Sequence, residues 1–431
     1  MTPGARLSAA MDVLAEIETQ RRPAADALRD WGTAHRFAGS GDRAAIASLA
    51  YDALRVRLSA AWVMGAATPR AVVLAALRLE RGLATEAVAG LLTGQAHAPA
   101  SLDADEAARL EALDLSAAPD FVRGDYPEWL APAFAAAFGE DAVAEGRALA
   151  QRAPLDLRVN TLKSNWDKAT RALSHLSPQP TPLAPDGMRV AARPDGRAPA
   201  LAAEPAYLKG QVEIQDEGSQ LAARLAGAAA GRQVLDLCAG GGGKSLALAA
   251  LMGNKGQVYA TDQDARRLAP IHARIARADA RNIQVRTPRG RASAVEDLVG
   301  RCDLVLVDAP CTGTGAWRRN PDAKWRVRPG ALAERIKDQD EALRDAVRFV
   351  KPGGRLVYVT CSVLRDENEE RIAALLVERP DLAPVPANVL IGEAGLPDLA
   401  SRASPHGPGL RLSPHTTGTD GFYIAGMTLA G

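Results

Sequence analysis

The stretch Val234-Leu235-Asp236-Leu237-Cys238-Ala239-Gly240-Gly241-Gly242-Gly243-Lys244-Ser245 decides the fold. A short apolar run empties into four glycines, and the apolar stretch Leu246 to Met252 follows. This is the pattern of a buried strand feeding a helix. Residues without a Cβ let a ligand approach the backbone, and free N–H groups at the helix start give it donors and partial positive charge. A nucleotide-like molecule is expected near Gly242.

The residues leave open which nucleotide. A phosphate-binding P-loop reads G-x-x-x-x-G-K-[ST], and Gly243-Lys244-Ser245 supplies its end. Its first glycine would stand where this chain has Cys238. Leu304-Val305-Leu306-Val307-Asp308 has the form of the acidic strand that helps hold Mg²⁺ in such proteins. An NTPase stays open at this point. A glycine turn with no ligand carries an entropy cost of up to about 1 kcal/mol per glycine, which argues against it.

Outward from the cluster, strands and helices alternate. Residues 210–216 read as a strand and Ser219–Ala230 as a helix. After the glycines come strand Gln257–Thr261, helix Ala265–Ala278 and strand Ile283–Arg286. Strand Asp303–Val307, helix Ala331–Phe349 and strand Arg355–Thr360 complete the series. Such alternation predicts a mostly parallel, doubly wound α/β sheet, with ligands at the carboxyl ends of its strands. Upstream, Leu7, Met11, Leu14 and Ile17 share one helical face, Ile46 to Leu58 form a second, and Thr68-Pro69 opens a third. Residues 1–118 are therefore expected to be all-helical. Leu155–Asn160 alternates like a strand, 166–176 looks helical, and Met188–Ala192 has strand character, which predicts a small α+β subdomain over 119–205 and a catalytic domain over 206–431.

A chain of 431 residues accommodates two or three domains. Its net charge of +1 argues neither for nor against a polyanionic partner, so any basic surface must be local. No apolar run approaches the ~20 residues that span a bilayer, and a cytoplasmic protein with no membrane partner is expected. Cys238, Cys302, Cys311 and Cys361 have no zinc-ligand spacing, so no metal is implied. Nothing points beyond a monomer.

Three strand ends carry chemistry. Asp262 ends the strand after the glycines, near the ~20-residue spacing at which an acid accepts both ribose hydroxyls. The competing reading makes it the cap of the helix at Ala265. Asp308-Ala309-Pro310-Cys311 ends one strand and Thr360-Cys361-Ser362 another. A lone cysteine is more often a buried hydrophobe, but two on the ligand side of one sheet suit nucleophilic attack on an electron-poor ring.

The strings Asp236-Leu237-Cys238-Ala239, Gly242-Gly243-Lys244, Asp308-Ala309-Pro310-Cys311, Thr360-Cys361-Ser362 and Asp420-Gly421-Phe422 resemble the Nol/Nop/Sun family of RNA cytosine carbon-5 methyltransferases. The helical N-terminal part resembles the NusB-like RNA-binding domain of a bacterial member that modifies small-subunit ribosomal RNA, and the α+β subdomain corresponds to an RRM-like piece. The resemblance implies a seven-stranded, Rossmann-like methyltransferase sheet and S-adenosylmethionine (SAM) as cofactor. By it, Cys361 is the covalent nucleophile, Cys311 assists product release, Asp308 contacts N3 of the cytosine, and Lys244 orients the base or Asp308. Cys238, Ala239, Gly240, Gly241, Gly242, Gly243, Lys244, Asp262, Arg289 and Asp308 would line the cofactor. Two positions depart from the family: Gly240-Gly241 replaces an Ala-Pro pair, and Arg289 stands where an acid usually meets the adenine amine.

Arg318, Arg319, Lys324, Trp325 and Arg326 cluster after Cys311, together with Trp317 and Arg328. Arginines that grip phosphate and aromatics that stack on unpaired bases make this the expected RNA contact, against a reading in which the tryptophans merely pack. The target base must be single-stranded or flipped out. Transfer RNA is an alternative substrate, and an RNA-binding assembly factor with weakened catalysis is the alternative from another class.

Overall fold

The computed structural model describes residues 1–95, 97–191, 199–288 and 294–431. They fall into two compact units: Met1–Ala153 with Trp317–Val327, and Pro154–Ala191, Pro199–Ala316 and Arg328–Gly431.

The first unit is built from helices, the longest being Pro3–Gln20, Ser40–Arg55, Ala24–Ala34 and Pro69–Leu79. Leu7, Val13, Leu14, Ile46, Leu54, Val72 and Leu74 are buried in one core, as their helical spacing requires. The helix at Pro69 starts as expected: proline occupies its first turn and the Thr68 hydroxyl accepts from Ala71 N at 3.2 Å.

Residues 317–327 join this helical unit, and here one expectation is corrected. Lys324 is only 1% exposed and donates to the Arg55 carbonyl at 3.0 Å. Trp325 donates its indole N–H to the Leu54 carbonyl at 2.7 Å. Arg318 is buried, and its carbonyl accepts from Arg55 at 2.8 Å. Trp317 stacks near Phe134, with ring centroids 6.0 Å apart. The Lys324 ammonium is thus withdrawn from the surface and held inside this unit. Arg319 is half-buried, Arg326 pairs with Asp322 at 3.0 Å, and Arg328 is exposed.

The second unit contains two sheets. In the smaller, strands β1 (Leu155–Val159), β2 (Gln179–Pro180), β3 (Gly187–Val190) and β4 (Val212–Ile214) run in the order β2-β3-β1-β4, each pair antiparallel. The larger comprises β5 (Gln233–Asp236), β6 (Gln257–Ala260), β7 (Ile283–Val285), β8 (Cys302–Asp308), β9 (Val350–Thr360), β10 (Leu382–Pro384), β11 (Leu410–Leu412) and β12 (Phe422–Leu429). Seven of these run in the order β10-β12-β9-β8-β5-β6-β7, and β11 pairs with β12 as an eighth. The five strands β9-β8-β5-β6-β7 are parallel, whereas β12 is antiparallel to β9. This is the Rossmann-like α/β sheet that the alternating pattern predicts.

Both faces of that sheet are covered, which is why its strands read as continuous apolar runs. Val234, Leu304, Leu306, Val357 and Val359 point to one side, where Leu221, Leu248 and Leu390 of three helices pack. Leu235, Val305, Val307, Leu356 and Tyr358 point to the other, against Leu343, Val347 and Ile372. The helix expected over 265–278 is split into Ala265–Leu268 and Ile271–Ala278. Pro270 lies at the break, lacking the N–H and clashing with the preceding turn.

The glycine cluster turns the chain from β5 into the helix Gly243–Leu251. Gly242 has φ +80°, and a Cβ there would lie 2.3 Å from Ile271. Gly243 is already helical, with its nearest neighbour atom 3.7 Å from such a Cβ. Gly242→Ala is therefore expected to cost at least about 1–2 kcal/mol from its backbone alone, with the clash added. Gly243→Ala should melt with the wild type. Thermal unfolding of the two variants side by side checks this, and equal shifts would contradict it.

Candidate active site

Strand order reverses between β5 and β8: the chain moves from β5 outward to β7, then returns to β8 on the other flank. Ligands in such sheets sit outside the carboxyl ends of the strands at this point. The glycine cluster leaves β5 there, Asp262 follows β6, Asp308 closes β8, and Cys361 follows β9.

Ala239 N donates to the Thr261 carbonyl at 2.9 Å, and Gly240 N to Asp262 Oδ2 at 2.9 Å, so the loop is strapped to the end of β6. The helix at Ala265 is capped by Asp264, whose Oδ1 accepts from Arg266 N at 2.8 Å. Asp262 instead takes Asp264 N on its Oδ1, which leaves a lone pair on each of its oxygens. Arg274 braces the loop from behind, donating to the Gly241 carbonyl at 2.7 Å and to the buried Glu213 at 3.0 Å. Arg289 lies outside the described residues.

Lys244 is buried, and its Nζ lies 2.6 Å from Asp308 Oδ2, joining the helix start to the end of β8. Its ammonium also sits 5.2 Å from the centre of the Phe422 ring. Burial works against the Lys244 charge. The Asp308 contact, helped by Cys361 and Asp236, outweighs that and raises its affinity for the proton.

The two cysteines of the motifs meet: Cys311 Sγ and Cys361 Sγ are 3.4 Å apart. The contact with Cys361, then burial, then the nearby Glu367 charge hold the Cys311 thiol well above the ordinary range. Cys238 is held protonated by burial and by Asp236, Asp262 and Asp308. Cys302 opens β8, and burial with Asp303 pushes it up to about 12. Neither of these thiols has nucleophilic character.

Close backbone approach holds the Cys311 loop in place. Gly315 N donates to the Cys361 carbonyl and Gly421 N to the Gly315 carbonyl, both at 2.9 Å. A Cβ on Gly421 would stand 2.5 Å from Val363 Cγ1 and 2.7 Å from Gly315 Cα, which explains the glycine of Asp420-Gly421-Phe422.

Two side chains escaped the reading of the sequence. Asp236 is fully buried, its Oδ2 accepts from Ser245 Oγ at 2.6 Å, and its Oδ1 has no hydrogen-bond partner among the described residues. Glu367, also fully buried, receives hydrogen bonds from the loops of both cysteines. An acid ending the strand before the glycines was the available signal for the first. For the second it was an acid five positions after Ser362.

Asp236, Asp262 and Asp308 all raise the Cys238 thiol, with Arg267 opposing them. The lysine that a P-loop needs is already bound to Asp308. A ligand with cationic character fits.

Residues 225–428 match the family model described as 16S rRNA methyltransferase RsmB/F. Residues 126–195 match the ferredoxin-like domain of RsmF/B-like methyltransferases. Among curated proteins, the chain is 33% identical over 370 residues to the probable ribosomal RNA small subunit methyltransferase B of Bacillus subtilis, covering 85% of this chain and 78% of that protein. It is 31% identical over 311 residues to the protein of the same name from Synechocystis, covering 71% and 67%. Among solved structures, PH0851 covers 99% of both chains with TM-score 0.71 at 24% identity, a likeness of fold.

Burial raises the Asp236 carboxyl to about 7, with Asp308 and Asp262 adding to the rise and the Ser245 hydroxyl and Lys244 opposing it. A carboxyl raised in the folded state contributes stability below its unfolded value, near 3.9, and that stability drains as pH rises to 7. Wild type should therefore lose about 1.4 kcal/mol per pH unit relative to Asp236→Asn over that window. Denaturant unfolding of both proteins at pH 5, 6 and 7 measures the difference. A gap independent of pH would contradict this reading.

Proposed function

Because this chain belongs to the RsmB/F family of 16S rRNA methyltransferases, we propose that it forms 5-methylcytosine in small-subunit ribosomal RNA through a covalent bond from Cys361 to carbon 6 of the base. It is an RNA methyltransferase, and its methyl donor is SAM. The donor's cationic centre and amino group would lie near the carboxylates at the strand ends. The glycine backbone over 239–243 and Asp262 would hold the nucleoside. When bound, SAM supplies an electrophilic methyl group on sulfur.

The observation that carries the proposal is the pair of sulfurs 3.4 Å apart beside the Lys244–Asp308 pair. Cys361, with the Cys311 thiol against it, would add as the nucleophile to carbon 6. Negative charge then builds toward N3, where Asp308 offers the proton that it shares with Lys244. Carbon 5, made electron-rich by the Cys361 adduct, would be the atom that accepts the methyl group. Once the Cys361 sulfur is bonded to carbon, the strongest hold on the Cys311 proton is gone. Cys311 releases that proton to solvent and accepts the one on carbon 5. The carbon 6–sulfur bond breaks, the thiolate leaves, and the N3 proton returns to the Lys244–Asp308 pair.

The thiol field of one enzyme cannot reach a base inside a helix, so the target is unpaired or flipped. We assign RNA docking to the helical unit as a whole and to the exposed Arg326 and Arg328, and we place the enzyme in the cytosol with its ribosomal substrate.

Cys361→Ala is expected to abolish both methyl transfer and any covalent protein–RNA complex, losing about 10⁴-fold or more in rate. Cys311→Ala should still form that complex but hold it, so a denaturant-stable RNA adduct accumulates. Methyl transfer from labelled SAM and denaturing gels measure the two properties. The reverse pattern would reassign the nucleophile.

A further inference from the structure

The first turn after Cys361 holds a carboxylate that the mechanism above does not use. Glu367 is 0% exposed. Its Oε1 accepts from Thr312 N at 2.8 Å and from Gln339 Nε2 at 3.0 Å. Its Oε2 accepts from Thr312 Oγ1 at 2.5 Å and from Ser362 Oγ. Thr312 directly follows Cys311, and Ser362 directly follows Cys361. Gln339 extends the clasp by donating to the Pro310 carbonyl at 2.9 Å, so both residues beside Cys311 are gripped. From below, the Tyr358 hydroxyl donates to the Glu367 carbonyl at 2.7 Å. No cationic side chain pairs with Glu367 among the described residues.

We propose that Glu367 is a positioning residue for the two-thiol reaction, its charged carboxylate clasping the Cys311 loop to the Cys361 turn and fixing the approach of the two sulfurs. The inference rests on the covalent reading of the cysteine pair. Two features argue that the carboxylate does more than satisfy hydrogen bonds. All four partners are neutral donors, so burying a full negative charge here costs more than a neutral side chain would. That charge also stands against Cys311, where a second thiolate is disfavoured and the shared proton is kept on Cys311. The clasp thus sets distance and protonation order together: Cys311 as donor, Cys361 as nucleophile.

Glu367→Gln removes the charge at nearly constant shape, and Thr312→Val removes one strand of the clasp while leaving the charge. Two measurements separate the roles. The first is the pH profile of Cys311 alkylation by iodoacetamide, read by peptide mass spectrometry. The second is the rate at which the covalent RNA complex forms and resolves in a single turnover. Glu367→Gln is expected to shift Cys311 alkylation toward lower pH by about half a unit or more. It should slow resolution of the adduct at least about tenfold while adduct formation continues. Thr312→Val should slow resolution about threefold with the alkylation profile unmoved. Wild-type resolution with an unmoved profile in Glu367→Gln would overturn the proposal. Should that variant fail to fold, wild-type resolution in Thr312→Val would overturn it instead. Absence of any adduct in wild type and in Cys311→Ala would sink the covalent reading, whereas the alkylation profile reports on Glu367 independently.

Discussion

An ammonium 2.6 Å from a carboxylate, joining a helix start to the end of a strand, is the contact on which the site depends. Lys244 opens the helix after the glycines and Asp308 closes β8, so their pairing stitches the cofactor side of the pocket to the cysteine side. It also sets the chemistry. A lysine committed to Asp308 is unavailable to phosphate, and the aspartates around it leave a field suited to a cation. The same pair holds a proton beside the place where a ring under attack would gather negative charge. In the proposed reaction, stability and catalysis would draw here on one interaction.

The surrounding fold makes that contact possible through constraints that act over short distances. The order of the parallel strands opens a crevice between β5 and β8, and the apolar residues on both sheet faces hold the strands in register. At the edge of the crevice, Gly315 and Gly421 bring two backbones together where any side chain would collide. The sulfur of Cys311 reaches that of Cys361 because its loop is fastened at both ends.

Much of this was legible in the residues. The glycine cluster, the alternation of apolar runs with helical stretches, and acids and cysteines at strand ends specify a sheet and the edge where its ligands bind. What escaped depended on partners distant in sequence. Nothing local marks Lys324 as buried, because its burial requires Arg55 and Leu54 to supply carbonyls and packing from more than 250 positions away. Glu367 reads as one acid in a charged run until Thr312 and Ser362 converge on it. Pro270 was a visible breaker, yet helical spacing on both sides masked the interruption. Asp264 rather than Asp262 caps the helix, a choice between neighbouring acids that backbone direction makes and composition does not.

The central claim is that two thiols with unequal hold on a proton act on one pyrimidine. Its most direct measurement is the identity of the sulfur that captures the ring. Wild-type protein, SAM and a ribosomal RNA fragment carrying 5-fluorocytidine would be combined, the fluorine blocking release after methyl transfer. The trapped complex would then be digested and its peptides sequenced by mass spectrometry. The account predicts the nucleotide on Cys361 with Cys311 unmodified. A nucleotide on Cys311, or a methylated product formed with neither sulfur attached, would contradict it.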